Sequence, residues 1–84
     1  MEAMVVHVKL YAQLRKYHPG PNRSAVLGVT LADGASVADL IGVLDLPRTL
    51  IGAPFVNDAK CGLAAALHDG DRVSLFSPVV GGTR

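Results

Sequence analysis

Residues 69–82 read Asp-Gly-Asp-Arg-Val-Ser-Leu-Phe-Ser-Pro-Val-Val-Gly-Gly, a run that passes from a turn through a strand into a segment with no regular structure. His68-Asp69-Gly70-Asp71 is expected to turn, because Gly70 takes the positive φ that a side chain resists. Arg72 to Phe76 then alternates as a strand does, with Val73 and Leu75 inward and Ser74 and Phe76 outward. From Ser77 to Arg84, one proline and two glycines leave no regular element that could hold, so this end reads as a tail. A final strand that returns beside the first would occupy the middle of a sheet.

Working outward, Met4 to Leu10 has the same period: Val6, Val8 and Leu10 alternate with His7 and Lys9, which predicts a half-buried opening strand. Tyr11 to Tyr17 suits a short helical turn, and His18-Pro19-Gly20-Pro21-Asn22 ends it as a loop. Ala25 to Leu31 alternates again and is the expected hairpin partner of the first strand, with Gly28 marking a bulge or a weak edge. Asp33-Gly34 breaks that strand. Ser36 is placed as a helix N-cap with Asp39 at the capping-box position. Val37, Leu40, Ile41 and Leu44 form one apolar stripe, and Leu46-Pro47 stops the helix near Asp45. Ile51 to Asn57 and Cys61 to Leu67 are two weaker segments, the first ending in a strand at Phe55-Val56-Asn57 and a turn at Asn57-Asp58. One helix lying across one face of a mixed sheet makes this an α+β domain.

Composition narrows the function. The chain has 84 residues, enough for one domain with a core of its own. Half of the residues are apolar and 18% are charged, so disorder is not expected. Eight Lys and Arg stand against seven Asp and Glu without a basic run, and aromatic residues are few, so nucleic acid is not an expected partner. The lone cysteine, Cys61, excludes an internal disulfide framework and suits a reducing compartment. Short apolar runs broken by charge predict neither a membrane span nor a signal-peptide core, and the expected localisation is cytoplasmic.

Conventional catalytic sites cannot be assembled from these residues. Cys61 has no cation near it in sequence to stabilise a thiolate and reads as a buried structural residue. His7, His18 and His68 lack metal-ligand spacing and read as surface or satisfied side chains, so no metal is expected. Asp58, Asp69 and Asp71 read as turn formers. Arg15, Lys16 and Arg72 are scattered cations that could steer an acidic partner but read more simply as solvated. Tyr11 and Phe76 are the exception. They should sit on neighbouring central strands on the face away from the helix, forming an exposed aromatic pair beside the root of the tail, the kind of patch that marks a partner surface.

Four stretches together resemble the MoaD/ThiS family of sulfur carriers: Val8 to Arg15, Ser36 to Leu40, Val56-Asn57, and Asp69 to Gly82. They span nearly the whole chain, and the Phe-x-Pro-Val-x-Gly-Gly ending is most similar to the small subunit of molybdopterin synthase. The resemblance implies a ubiquitin-like β-grasp fold over residues 1–77, with a flexible, extended C-terminal tail over 78–84 that carries Gly81-Gly82. It implies that the domain is not an enzyme. It further implies that an E1-like adenylating partner uses ATP to activate the carboxylate of Gly82, that sulfur replaces the adenylate, and that the thiocarboxylate serves an acceptor such as the large subunit of molybdopterin synthase. No cofactor is expected to be permanently bound. Pro78, Val79, Val80 and Gly81 would dock the tail, because glycine passes through a narrow channel and Pro-Val-Val keeps the approach extended. Thr83 and Arg84 follow the diglycine, so a processing protease is expected to remove them before activation. The alternatives are a carrier for thiamin or cysteine biosynthesis, and a β-grasp interaction module that binds through Tyr11 and Phe76 without carrying sulfur.

Overall fold

The computed structural model describes residues 3–22 and 25–77. The first strand, β1, runs Ala3–Leu10, and its alternation sends Met4, Val6, Val8 and Leu10 into the core while Val5 and His7 face solvent. Beyond Tyr11 the backbone turns sharply at Ala12, at φ 56, and forms a 3₁₀ helix over Ala12–Tyr17 that buries Leu14. His18 then pins the loop. Its Nδ1 accepts from the Gly20 N–H and its Nε2 donates to the Ala25 carbonyl, each at 2.9 Å, which is how a polar side chain comes to be buried there.

Strand β2, Leu27–Ala32, pairs antiparallel with β1, with Gly28 opposite His7. Pairing is regular on both sides of Gly28, so that glycine marks an edge strand and not a bulge.

The helix α1, Val37–Val43, buries Val37, Leu40 and Ile41 against the sheet. Ser36 and Asp39 form the expected capping box: the Ser36 hydroxyl accepts from the Asp39 N–H, and the Asp39 carboxylate accepts from the Ser36 N–H at 2.9 Å. The helix ends short of Asp45, because Leu44 to Leu46 make a Schellman turn. The Asp45 N–H donates to the Gly42 carbonyl and the Leu46 N–H to the Ile41 carbonyl, both at 3.1 Å, with Asp45 at φ 56. Leu46 is thereby tucked into the core. A short 3₁₀ turn, Arg48–Leu50, follows Pro47.

Strands β3, Phe55–Val56, and β4, Ala59–Lys60, form a hairpin over Asn57 and Asp58, whose φ values of 52 and 69 define a primed turn. The weak segment expected over Cys61 to Leu67 adds no strand to the sheet. It touches Ser36 through one bridge at Ala66, and its carbonyls serve the start of α1: Leu63 accepts from Ala38 and Ala65 from Val37, at 2.9 and 3.0 Å. Helix-start amides have no partner within the helix, and here the segment supplies one.

The last strand, β5, Arg72–Leu75, lies parallel to β1 and antiparallel to β3, giving a sheet order of β2-β1-β5-β3-β4. The last described strand is therefore central, and the fold is the expected mixed sheet packed on one main helix. Val73 and Leu75 meet Val6, Val8, Leu10, Leu40 and Ile41 in a single core. The opposite face presents His7, Lys9 and Tyr11 beside Arg72, Ser74 and Phe76, all half-buried or exposed.

Candidate functional site

Two of the residues singled out, Tyr11 and Phe76, come together at the end of β5. Tyr11 leaves β1 in an extended conformation, and its N–H donates to the Leu75 carbonyl at 3.0 Å, which prolongs the β1–β5 ladder by one step. That step brings the Tyr11 ring onto the Phe76 ring, with centroids 4.4 Å apart and planes 10° from parallel. Phe55 on β3 adds a third ring, edge-on to Phe76 at 5.6 Å. Phe55 stands opposite Ser74 and so lies on the same outer face. The rings border a hollow of 260 Å³, shared with Asp58 and Ser74, and all three are half-buried.

The main chain under the rings is tied down. The Gly52 N–H donates to the Phe76 carbonyl at 2.7 Å, and the Gln13 N–H reaches the Ser77 hydroxyl at 3.4 Å. Phe76 therefore does not close the core; it is an aromatic platform where the chain leaves the sheet. Pro78, Val79, Val80, Gly81 and Gly82, with Thr83 and Arg84, lie outside the described residues.

Asp71 acts as the expected turn former, its carboxylate accepting from the His68 N–H and also from the Asn57 side-chain amide. Asp69 instead ties its turn to β1, one oxygen accepting from the Val5 N–H at 2.8 Å. Asp58 faces Arg72 at 3.8 Å with both side chains in solvent. Cys61 is half-buried beside the Pro54 carbonyl, and burial pushes its thiol up, away from the thiolate a sulfur nucleophile requires. Among the described residues, no three His, Cys, Asp or Glu side chains lie together as a metal set, and no helix is long and apolar enough to cross a membrane.

Phe55 was missed from the sequence, as was Lys9, whose ammonium lies 5.3 Å from the centre of the Tyr11 ring. A signal existed for Phe55. Reading Asn57-Asp58 as a two-residue hairpin turn, with Ala59-Lys60 as its return strand, would have put Phe55 on the outer face.

A family described as Mut7-C ubiquitin matches residues 3–80. SAMP1 from Haloferax volcanii, a small archaeal modifier protein, is 26% identical, with a TM-score of 0.69 over 93% of this chain and 99% of its own. A putative molybdopterin converting factor, subunit 1, from Pyrococcus furiosus is 26% identical, with a TM-score of 0.72 over 90% and 99%. The complex of subunits 1 and 2 of the molybdopterin-converting factor from Helicobacter pylori contains a chain 26% identical, with a TM-score of 0.58 over 94% and 100%. Among curated proteins none matches. The match to the family over nearly the whole sequence closes the case that the strand order and aromatic platform opened: the chain belongs to the Mut7-C ubiquitin family and is a MoaD/ThiS-like β-grasp protein.

Proposed function

We propose that the chain is a sulfur carrier whose working group is the backbone carboxyl of Gly82. An E1-like enzyme binds the outer face of the sheet through Tyr11, Phe55 and Phe76, takes the tail into its active site and adenylates Gly82 with ATP, releasing pyrophosphate. A sulfide-level donor then displaces AMP, and the resulting thiocarboxylate passes its sulfur to an acceptor. The large subunit of a molybdopterin synthase is the acceptor best supported, since one similar chain is subunit 1 in a complex with subunit 2 of the molybdopterin-converting factor. Whatever follows Gly82, beginning with Thr83 and Arg84, must be cleaved before adenylation, because the reaction consumes a free carboxylate. ATP-dependent activation and a thiol carrying no disulfide suit a cytoplasmic setting.

The observation that carries this reading is the stacked Tyr11–Phe76 pair on the uncovered face, placed where the chain runs on into Ser77-Pro78-Val79-Val80-Gly81-Gly82. Aromatic side chains left half-exposed on so small a domain mark a surface that is desolvated by a partner.

A second reading is favoured by the similarity to SAMP1: the activated Gly82 carboxyl is passed to a lysine amine of another protein, forming an isopeptide bond. One experiment addresses both. The chain trimmed to end at Gly82 is incubated with a candidate activating enzyme, ATP and a sulfur source, and its intact mass is recorded. Exchange of one terminal oxygen for sulfur supports the carrier, and conjugates joined through Gly82 to lysine support the modifier. An unchanged mass, under conditions that charge a control carrier, refutes both.

A further inference from the structure

Beside the aromatic platform, the outer face carries a groove of 390 Å³ whose walls include His7, Lys9, Tyr11, Val26, Arg72 and Ser74. The parallel register of β1 and β5 creates it by setting His7 opposite Arg72 and Lys9 opposite Ser74. Two basic side chains from different strands, Lys9 and Arg72, thus border one groove, together with the His7 imidazole. Lys9 is half-buried, and its ammonium lies 5.3 Å from the centre of the Tyr11 ring, so it is less hydrated than a free lysine.

Of the nearby acids, only Asp58 lines the groove; Asp69 and Asp71 stand outside its walls, held by the Val5, His68 and Asn57 amides. Asp58 meets Arg72 at 3.8 Å, but the two side chains are 89% and 71% exposed, and such pairs contribute little and open readily. The groove's walls thus carry two basic side chains, Lys9 and Arg72, against one carboxylate, Asp58. The groove also adjoins the aromatic hollow, since Tyr11, Asp58 and Ser74 border both.

We infer that this groove receives a carboxylate side chain from a protein partner, while a neighbouring apolar side chain of the same partner segment rests on the Tyr11 and Phe76 rings. The inference rests on the carrier reading only in taking the occupant to be a protein. Two features favour a tethered carboxylate over a free anion. The cations are arranged on an open sheet face and not in an enclosed nest of donors, so a small anion would exchange them for water at little gain. A carboxylate on a chain already docked at the rings arrives at high effective concentration and needs no such enclosure.

The test is an amide-shift titration of the full ¹⁵N-labelled chain with the synthetic peptide acetyl-Gly-Glu-Leu-Glu-Phe-Gly-amide, with its counterpart carrying Gln in place of Glu, and with inorganic phosphate. The expected result is saturable shifts at His7, Lys9, Tyr11, Arg72 and Ser74 with the Glu peptide. Lys9→Gln or Arg72→Gln should each weaken that binding about fivefold, and added salt should weaken it further. Both variants replace side chains on the outer face, and their own amide spectra report whether the fold is intact. Three outcomes overturn the inference: no saturable shifts, equal binding of the Gln peptide, or phosphate saturating the same amides as tightly as the Glu peptide. A chain that is charged with sulfur at Gly82 yet ignores the Glu peptide would sink the groove and leave the carrier intact.

Discussion

Replacing Phe76 with alanine separates a partner surface from a piece of core. The ring loses its stack on Tyr11 at 4.4 Å and its edge contact with Phe55 at 5.6 Å, but the main-chain bond from the Gly52 N–H to the Phe76 carbonyl survives, because it involves no side chain. A fully buried Phe→Ala costs about 3–5 kcal/mol. Phe76 is only half-buried, and its two ring contacts are worth about 0.5–1.5 kcal/mol each beyond area. The expected loss of stability is therefore roughly 2 kcal/mol, which a domain holding about 5 kcal/mol or more tolerates without unfolding. Binding should suffer more. Truncating an aromatic anchor at the centre of an interface costs about 2 kcal/mol or more, close to thirtyfold in affinity. Steady-state sulfur charging should show KM for the carrier rising about thirtyfold with kcat nearly unchanged, the pattern of lost uniform binding. Urea denaturation of the same variant gives the stability term. An unchanged KM alongside the expected destabilisation would mean that the ring serves the fold alone. A destabilisation of about 4 kcal/mol or more would mean that it belongs to the core, against its exposure in the structure.

Two further predictions concern the ends of α1. Asp45 occupies the left-handed position of the Schellman turn at φ 56, where a Cβ is strained, so Asp45→Gly should stabilise the domain by about 0.5–1 kcal/mol in urea denaturation; destabilisation would mean that the Asp45 side chain contributes a contact that outweighs the relief. At the other end, hydrogen bonds from the Ser36 backbone N–H and then its hydroxyl hold the Asp39 carboxyl below its ordinary value of 3.8. A depressed pKa in the folded state makes a contribution that is present above the unfolded value and lost as pH falls through the folded one. The stability difference between wild type and Asp39→Asn should thus be largest near neutral pH and shrink below pH 3.8; a difference independent of pH would show that the charge on Asp39 plays no part in the cap.

What was legible in the sequence was whatever depends on local period and local chemistry. The alternation of Val6, Val8 and Leu10, the cap at Ser36 and the turn at Gly70 are each encoded within a few residues, and each stands where expected. The Tyr11–Phe76 pair was legible for another reason: the two residues are far apart in sequence, but each is at a strand end whose facing follows from the period of 2, so one topological assumption placed both. The misses share a cause. Ala59–Lys60 is a strand of two residues, too short to show a period, and its existence depends on the positive φ values of Asn57 and Asp58, which no pattern of apolar residues reports. The role of residues 61–67 depends on which amides of α1 lack partners, a property of the packed helix. Lys9 was passed over because a cation on a strand reads as a solvated face until a second strand brings Arg72 alongside.

The placement of β5 bears on how such a carrier could work. A group delivered on the end of a chain has to be pulled into another protein's channel, and the pull is felt where the chain leaves the fold. In this molecule the last described strand is not an edge. β5 is bonded on both sides, to β1 and to β3, its Val73 and Leu75 are fully buried, and Phe76 is bonded through its carbonyl to Gly52. Pulling β5 free would therefore require opening the middle of the sheet and exposing the core, the costliest local opening available to the domain. An arrangement with the exit on β2 would need only an edge strand to peel. Under the proposed function, a central β5 keeps the face of Tyr11, Phe55 and Phe76, with Lys9 and Arg72 beside them, in shape while a partner draws on the chain beyond Ser77.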